Sequence, residues 1–338
     1  MIKPEADSRL DRPDNINNFH LIVDLSMMLT ALSLVGCVYV FYRVYKLWIL
    51  SKKKLAMTYR LPFYTACTDF LLNGNFFLNM IHTAIYARVW DDIPCKIIAV
   101  FNWAFLTINV CLYVVIAVIT YLRICRGIHF NYGKYDYKLW LIVIVGSLII
   151  QLINLQNYGK REYWCAAKSG QFYSAIILFS IIAIILIIIL FCYLSVLKKI
   201  HKTINFLKLL SSSNQNDRRY SRNGNTSVER CTEFERKATK KILSYIAVFI
   251  LQWTPISISQ GARLVLDDAI WVYVMGSIGR SFGGIGNMIQ FIINEGFISR
   301  NYDTASCNEN GNELFENSRL SSIRSNEHEI ITISEVEN

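Results

Sequence analysis

The chain has 338 residues, of which 53% are hydrophobic and only 18% are charged. A soluble domain carries about 25% charged residues, whereas here the charge is almost absent from several long windows and dense between them. This distribution excludes an ordinary soluble globular protein and is typical of a chain that crosses a membrane several times.

Seven apolar windows are the predicted membrane spans. A helix needs about 20 apolar residues to cross a bilayer core roughly 30 Å thick, and the roughly ten-residue alternating strands of a membrane barrel are absent. The fourth window is short, and the seventh is rich in glycine and polar residues. In chain order the windows are residues 20–50, 61–87, 95–122, 140–155, 172–197, 242–264 and 270–293. We therefore predict an all-α, seven-transmembrane helix bundle.

The Lys and Arg residues predict how the bundle is oriented. The loops after the first, third and fifth windows, with the helix ends that lead into them, contain 22 of these residues, whereas the N-terminal tail and the remaining loops contain nine. Because positive loops stay on the cytoplasmic side, we expect the N-terminus outside and the C-terminus inside, as in a multi-pass plasma-membrane protein. This bias also accounts for most of the net charge of +10, so no nucleic-acid partner is predicted.

The predicted organisation has three parts. Residues 1–19 are polar, lack the apolar core of a cleavable signal peptide and form an extracellular tail. Residues 20–300 form the transmembrane domain, in which residues 198–237 are a long third cytoplasmic loop rich in basic residues, Ser and Asn. Residues 301–338 form a polar cytoplasmic tail. We expect this loop and this tail to be disordered; the alternative for the tail is a phosphorylated regulatory segment.

Two of the nine cysteines lie on the side predicted to be extracellular. Cys95 opens the third window, and Cys165 lies between the fourth and the fifth. Because the exterior is oxidising, we expect these two residues to form a disulfide that ties the second outer loop to the third helix. Two free thiols are the alternative.

Unusual residues interrupt two of the apolar windows. The sixth contains Gln252-Trp253-Thr254-Pro255, and the second holds a carboxylate, Asp69. Together with seven helices, an outer N-terminus and the predicted disulfide, these features resemble a rhodopsin-like G-protein-coupled receptor over about residues 20–300. That family has Cys-Trp-x-Pro in helix six, with Cys where this chain has Gln252. Since proline removes one backbone hydrogen bond and kinks a helix, the resemblance implies a switch at Trp253 and Pro255; a purely structural kink is the alternative.

The resemblance also implies a polar cluster in the middle of the bundle. Asn287 and Phe291 match the Asn and Tyr of the family's Asn-Pro-x-x-Tyr motif, with Met288 in place of proline, and Phe291 is the third predicted switch residue. This form is also similar to the cyclic-AMP-receptor-like branch of slime moulds and fungi. Because a carboxylate inside a membrane needs partners, Asp69, Asn109 and Asn287 are expected to converge on a sodium ion or water. A hydrogen-bonded packing network is the alternative.

The inner end of helix three departs from the family pattern. The family carries Asp/Glu-Arg-Tyr there, and the aligned arginine position holds Thr120. Arg123 lies about one turn deeper. The resemblance implies a heterotrimeric G protein as the inner partner, with Arg123 and Arg126 as the predicted contacts, and a kinase and arrestin at the C-terminal tail. For the arginines, ordinary positive-inside residues are the alternative.

The outer half of the bundle holds the predicted ligand pocket, above the tryptophan of helix six. Asn102 aligns with the aspartate of amine receptors, which argues against a simple amine ligand. Arg280 lies about two turns outside Asn287 and can bind a carboxylate or phosphate with two parallel hydrogen bonds; a structural ion pair is the alternative. The predicted ligand-binding residues are Asn102, Trp253, Arg280, His82 and Gln260.

Three classes of function compete. The patterns favour a receptor that transmits the binding of an extracellular small molecule, an anionic one if Arg280 contacts it, to a G protein by movement of helix six about Pro255. A transporter or channel, the main alternative, requires several charged residues along a pathway, and we find only Asp69 and Arg280. A membrane enzyme requires clustered histidines, and the five histidines are scattered. We therefore predict no enzymatic activity, no metal and no cofactor.

Overall fold

The computed structural model describes residues 10–13, 15–50, 57–128, 132–133, 136–153, 157–168, 172–213, 244, 247–266 and 269–295. The chain divides into two units, and nearly all of the described residues belong to the first, which comprises residues 1–218 and 237–294. The predictions of disorder for the C-terminal tail and for the third inner loop beyond residue 213 concern residues outside this described part.

Seven helices and one hairpin make up the described part of the chain. The helices are α1 (Ile16–Leu50), α2 (Met57–Tyr86), α3 (Asp92–Arg126), α4 (Tyr137–Ile153), α5 (Phe172–Ser213), α6 (247–262) and α7 (Ile270–Glu295). Strands β1 (Tyr158–Lys160) and β2 (Cys165–Ala167) form an antiparallel hairpin between α4 and α5, in which Gly159 pairs with Ala166. The predicted helical bundle is confirmed, and the hairpin is the one addition to the all-α prediction.

Three of the described helices have the length and hydropathy of a membrane span, namely Ile16–Leu50, Asp92–Arg126 and Ala175–Lys202, and α4 is apolar but shorter. The fifth helix shows how such a span is built. Ile182, Ile185 and Ile189 are buried, whereas Ile184 and Ile187 of the same helix are 57% and 66% exposed. An exposed apolar face of this kind suits contact with lipid chains rather than with water.

Helix α3 occupies the middle of the bundle. It packs against α2, α4, α5 and both strands of the hairpin, while α1 packs against α2. The largest apolar cluster runs along α3 and includes Tyr113 and, from α6, Phe249 and Trp253. Helix α1 approaches α7 closely, since a Cβ placed on Gly36 would lie 2.5 Å from the carbonyl oxygen of Gly284. Small residues permit such close packing of membrane helices.

The hairpin covers one end of the bundle, which we call the hairpin end. Cys165 of β2 forms a disulfide with Cys95 of α3, which confirms the predicted bond. Asn79 of α2 donates a hydrogen bond to the Cys165 carbonyl at 3.2 Å. Tyr158 of β1 lies 5.9 Å from Trp103, ring centre to ring centre, and burial raises the pKa of Tyr158 to about 12. The hairpin is therefore fixed to α2 and α3 by both covalent and polar contacts.

Candidate functional site

A carboxylate lies at the centre of the bundle, where four helices meet. Asp69 of α2 is completely buried. Asn109 of α3 donates to its Oδ1 at 2.9 Å, and Asn287 of α7 donates to its Oδ2 at 2.6 Å. Gln252 of α6 donates to Oδ1 at 3.3 Å. The structure thus brings together the three residues of the predicted polar cluster and adds Gln252, which the sequence analysis interpreted only as a departure from a motif.

The polar cluster needs a glycine at position 283, because a larger residue there would collide with it. A Cβ placed on Gly283 of α7 would lie 2.5 Å from both Asp69 Oδ1 and Gln252 Nε2. Three amide oxygens of the cluster, those of Asn109, Gln252 and Asn287, are buried and have no hydrogen-bond partner among the described residues. Buried carbonyl oxygens of this kind can accept hydrogen bonds from water or coordinate a hard cation. The described residues contain no group of three or more Cys, His, Asp or Glu arranged around a metal.

The predicted switch residues pack below the hairpin end. Trp253 is fully buried, with its ring 5.9 Å from that of Phe249, which in turn lies 4.8 Å from the ring of Tyr113. Pro255 lies within α6, which continues on both sides of it. Because proline has no amide hydrogen, the Leu251 carbonyl lacks its usual helical donor.

Phe291, the third predicted switch residue, lies further along α7. It is 2% exposed and packs in an apolar cluster with Val40 and Val44 of α1 and Ala66 of α2. A phenyl ring is purely apolar, so at this position it joins α1, α2 and α7 by packing alone, where the family's tyrosine would also offer a hydroxyl group.

A cavity that is partly open to solvent lies at the hairpin end. Its walls come from α2, α3, the hairpin, α5, α6 and α7. Asn102, Gln260 and Arg280, three of the five predicted ligand-binding residues, line it. Arg280 donates from Nη1 to Asn102 Oδ1 at 3.3 Å, and its guanidinium carbon lies 4.4 Å from the centre of the Phe76 ring.

Two further arginines line the same cavity, and the sequence analysis did not single them out. Arg161 lies in the turn of the hairpin, and Arg263 directly follows α6. Arg263 donates to Gln260 Oε1 at 3.0 Å, and the guanidinium carbon of Arg161 lies 4.4 Å from the Tyr273 ring. Arg161 belongs to a predicted outer loop and Arg263 lies at the outer end of the sixth predicted window. The scarcity of other positive charges on that side was the available signal.

The other two predicted ligand-binding residues do not line the cavity. The ring of His82 stacks on Trp90 at 3.8 Å and lies 4.7 Å from that of Tyr86, so it faces the connection between α2 and α3. Trp253 lies in the closed core and is absent from the cavity's walls. The aromatic packing of His82 therefore places its ring away from the residues that line the cavity.

The opposite end of the bundle carries the predicted G-protein contacts. Arg123 and Arg126 lie in the last turn of α3, and both side chains are exposed. Nearby, Arg60 of α2 donates to Asp136 Oδ2 at 2.7 Å, and the Tyr64 hydroxyl donates to the same oxygen at 2.7 Å. This ion pair joins the start of α2 to the residue before α4, and the sequence analysis did not predict it.

A bundle of seven helices with a disulfide-anchored hairpin, a cavity at the hairpin end and a buried polar cluster has the architecture of a membrane receptor. The sequence model of one protein family, described as "7 transmembrane receptor (rhodopsin family)", matches residues 44–270, which is more than half of the chain. The chain belongs to this family and is a multi-pass membrane protein. No curated protein matches the chain.

Proposed function

We propose that the protein is a plasma-membrane receptor that binds a negatively charged small molecule in the cavity at the hairpin end and activates a heterotrimeric G protein. The observation that carries this proposal is the Arg280 guanidinium in the cavity wall, where Asn102 accepts one of its hydrogen bonds. An arginine has five N–H donors, so the group retains the capacity to bind a carboxylate or phosphate with two parallel bonds.

In the proposed mechanism, ligand binding shifts the receptor between two conformations that differ in the position of α6. A ligand shifts such an equilibrium only through its different affinities for the two states. Ile256 and Gln260 of α6 line the cavity, and Pro255 weakens the backbone of that helix just below them. A swing of α6 about Pro255 therefore changes the cavity wall and moves the opposite half of the helix.

The buried polar cluster would couple the position of α6 to α2, α3 and α7 through its hydrogen bonds. Gln252 is the only member of the cluster on α6 among the described residues, and its hydrogen bond to Asp69 is the longest of the three at 3.3 Å. Movement of α6 breaks this bond first. The amide oxygens around Asp69 suit a sodium ion or water that would stabilise one of the two conformations.

At the opposite end, Arg123 and Arg126 are the proposed contacts of the G protein. Both side chains are exposed in the last turn of α3, where guanidinium groups can reach acidic or carbonyl groups of a partner. The C-terminal tail, with its Ser and Thr residues, is the proposed target of a kinase and arrestin and lies outside the described residues.

A nucleotide-exchange assay tests the proposed function. The receptor is reconstituted in nanodiscs with purified G proteins and screened against acidic and neutral metabolites. We expect acidic compounds to stimulate exchange, and we expect Arg280→Gln to raise the concentration needed for half-maximal exchange by about tenfold or more, which corresponds to about 1.4 kcal/mol. Arg88→Gln is the matched control, because Arg88 is an exposed arginine near the same end that does not line the cavity.

Two results would overturn the proposal. Unchanged potency in Arg280→Gln would remove the anion contact. Transport of a solute by the reconstituted protein, without nucleotide exchange on any G protein, would instead favour a transporter.

A further inference from the structure

The cavity at the hairpin end carries positive charge at two levels. Arg280 lies ten residues after the start of α7, roughly 15 Å along the helix, whereas Arg161 and Arg263 lie outside the helices, in the hairpin turn and directly after α6. Arg161 and Arg263 are 7% and 4% exposed, so their charged groups belong to the interior of the hairpin end. The described residues that line the cavity include no Asp or Glu.

The distance between the two levels can be read along α7. The Arg161 guanidinium lies over the ring of Tyr273 at 4.4 Å, and Tyr273 precedes Arg280 by seven residues. Seven residues of helix span about 10 Å. About 10 Å is therefore the separation of the two levels along the axis of α7, and a ligand that reaches both levels must be of comparable length.

Aromatic rings connect the two levels. The Arg280 guanidinium lies 4.4 Å from the ring of Phe76, which lies 5.3 Å from the ring of Trp164. Trp164 lies 5.2 Å from Tyr273, and the Arg161 guanidinium covers Tyr273. Phe76 and Trp164 both line the cavity. The wall between the cations therefore offers aromatic surface, which suits an uncharged, apolar part of a ligand.

Apolar residues from three other helices also line the cavity. They include Trp103 and Leu106 of α3, Leu178 of α5 and Ile256 of α6. Binding sites for small molecules are commonly apolar, with a few polar groups that fix the orientation of the ligand. Here the charged groups among the described lining residues are the three arginines of the two levels.

We propose that the cavity binds an elongated dianion whose two acidic groups are joined by an apolar spacer. One acidic group binds Arg280 and Asn102, and the other binds Arg263 and Arg161 near Gln260. This inference rests on the proposed function, because it assigns a ligand class to the same cavity. Arg161 and Arg263 also make other interactions within the protein, and the proposal depends on where their guanidinium groups lie rather than on an unmet hydrogen bond.

A ligand series with one variable charge tests this proposal. The probes are the straight-chain α,ω-dicarboxylates from succinate to sebacate, the monomethyl ester of each, and the corresponding α,ω-bisphosphonates. Binding to the receptor in nanodiscs is measured as ligand-dependent stabilisation against thermal unfolding, and nucleotide exchange is measured in parallel. The esters keep the length of each diacid and remove one charge, and the bisphosphonates distinguish carboxylate from phosphonate preference.

We expect a limited range of dianion lengths to bind about tenfold or more tightly than the matching monoesters. Arg263→Gln and Arg161→Gln should remove this advantage and leave monoester binding nearly unchanged, whereas Arg280→Gln should weaken both. Arg88→Gln should change neither. If a glutamine variant shows no cooperative melting transition, Arg263→Lys and Arg161→Lys serve instead, because lysine keeps the charge and loses the two parallel hydrogen bonds.

Each remaining outcome separates this inference from the proposed function. If diacids bind no better than their monoesters while Arg280→Gln still weakens both, the second anionic group is refuted and the anion receptor stands. Equal loss of diacid and monoester binding in Arg263→Gln also refutes the second group. If no acid of any series binds the wild-type protein, both the anion receptor and the dianion are refuted.

Discussion

Gly283 of α7 faces the carboxylate of Asp69 directly. A Cβ at this position would lie 2.5 Å from Asp69 Oδ1 and from Gln252 Nε2, so Gly283→Ala must displace one of these groups or move α7. Forcing extra atoms into a packed site costs about 1–3 kcal/mol. We expect Gly283→Ala to lower the free energy of unfolding by about this amount, measured by thermal unfolding in detergent or nanodiscs.

Gly74→Ala is the matched control for Gly283→Ala. Gly74 also lies in a helix, α2, but a Cβ placed there meets nothing within 4 Å. Alanine favours a helix over glycine by up to about 1 kcal/mol, so this variant should be as stable as the wild type or slightly more stable. If both variants melt at the same temperature, position 283 of α7 has room for a methyl group and the close contact with the polar cluster is refuted.

At the scale of single residues, the sequence predicted three members of the polar cluster and missed the fourth, Gln252. Asp69, Asn109 and Asn287 could be named because a polar group in a membrane window needs partners. Gln252 comes from the other side of the bundle, 183 positions away from Asp69 along the chain. Arg161 could not be assigned to the cavity because the path of a short hairpin is not encoded in hydropathy.

Among contacts between elements, the ion pair of Arg60 with Asp136 gives a test at the end opposite the hairpin. The Asp136 side chain is 2% exposed and that of Arg60 is 33% exposed, so removing either charge leaves the other partly buried. Breaking a fully buried pair from one side costs about 3–5 kcal/mol, and the partial exposure of Arg60 reduces this cost. We expect Arg60→Gln and Asp136→Asn each to destabilise the protein, with a coupling energy of about 1 kcal/mol or more.

The measurement is a double-mutant cycle of thermal or chemical unfolding. Asp136 has a φ of 58°, a left-handed conformation that Asn tolerates better than Ala, so Asp136→Asn removes the charge without adding backbone strain. Tyr64→Phe removes only the hydroxyl hydrogen bond to the same carboxylate and serves as the milder comparison. Additive losses in the double variant would mean that the two charges do not act as a pair.

Hydropathy predicted the existence and order of the helices better than their ends. The apolar window ended at residue 197, but α5 runs from Phe172 to Ser213, because a helix can continue into water once its basic residues leave the lipid. Likewise, α3 extends to Arg126 and ends at Gly127, whose φ of 67° suits a helix C-terminus. The strands β1 and β2 are three residues each, too short for an alternating pattern to appear in the sequence.

For the whole molecule, the orientation in the membrane is the prediction on which the ligand and G-protein sites both depend. The disulfide between Cys95 and Cys165 agrees with an extracellular hairpin end, because disulfides persist in oxidising compartments. The cavity opens at this end, and the exposed Arg123 and Arg126 lie at the other. An inverted protein would present the arginine-lined cavity to the cytoplasm and could not respond to an extracellular ligand.

Epitope tags on the two ends of the chain test this orientation in cells. The 22 Lys and Arg residues on the predicted inner side, against nine on the outer side, favour an external N-terminus because basic loops resist translocation. We expect antibody to stain an N-terminal tag on intact cells and a C-terminal tag only after the cells are permeabilised. Staining of both tags on intact cells, or of neither, would contradict an odd number of spans, and staining of the C-terminal tag alone would invert the bundle.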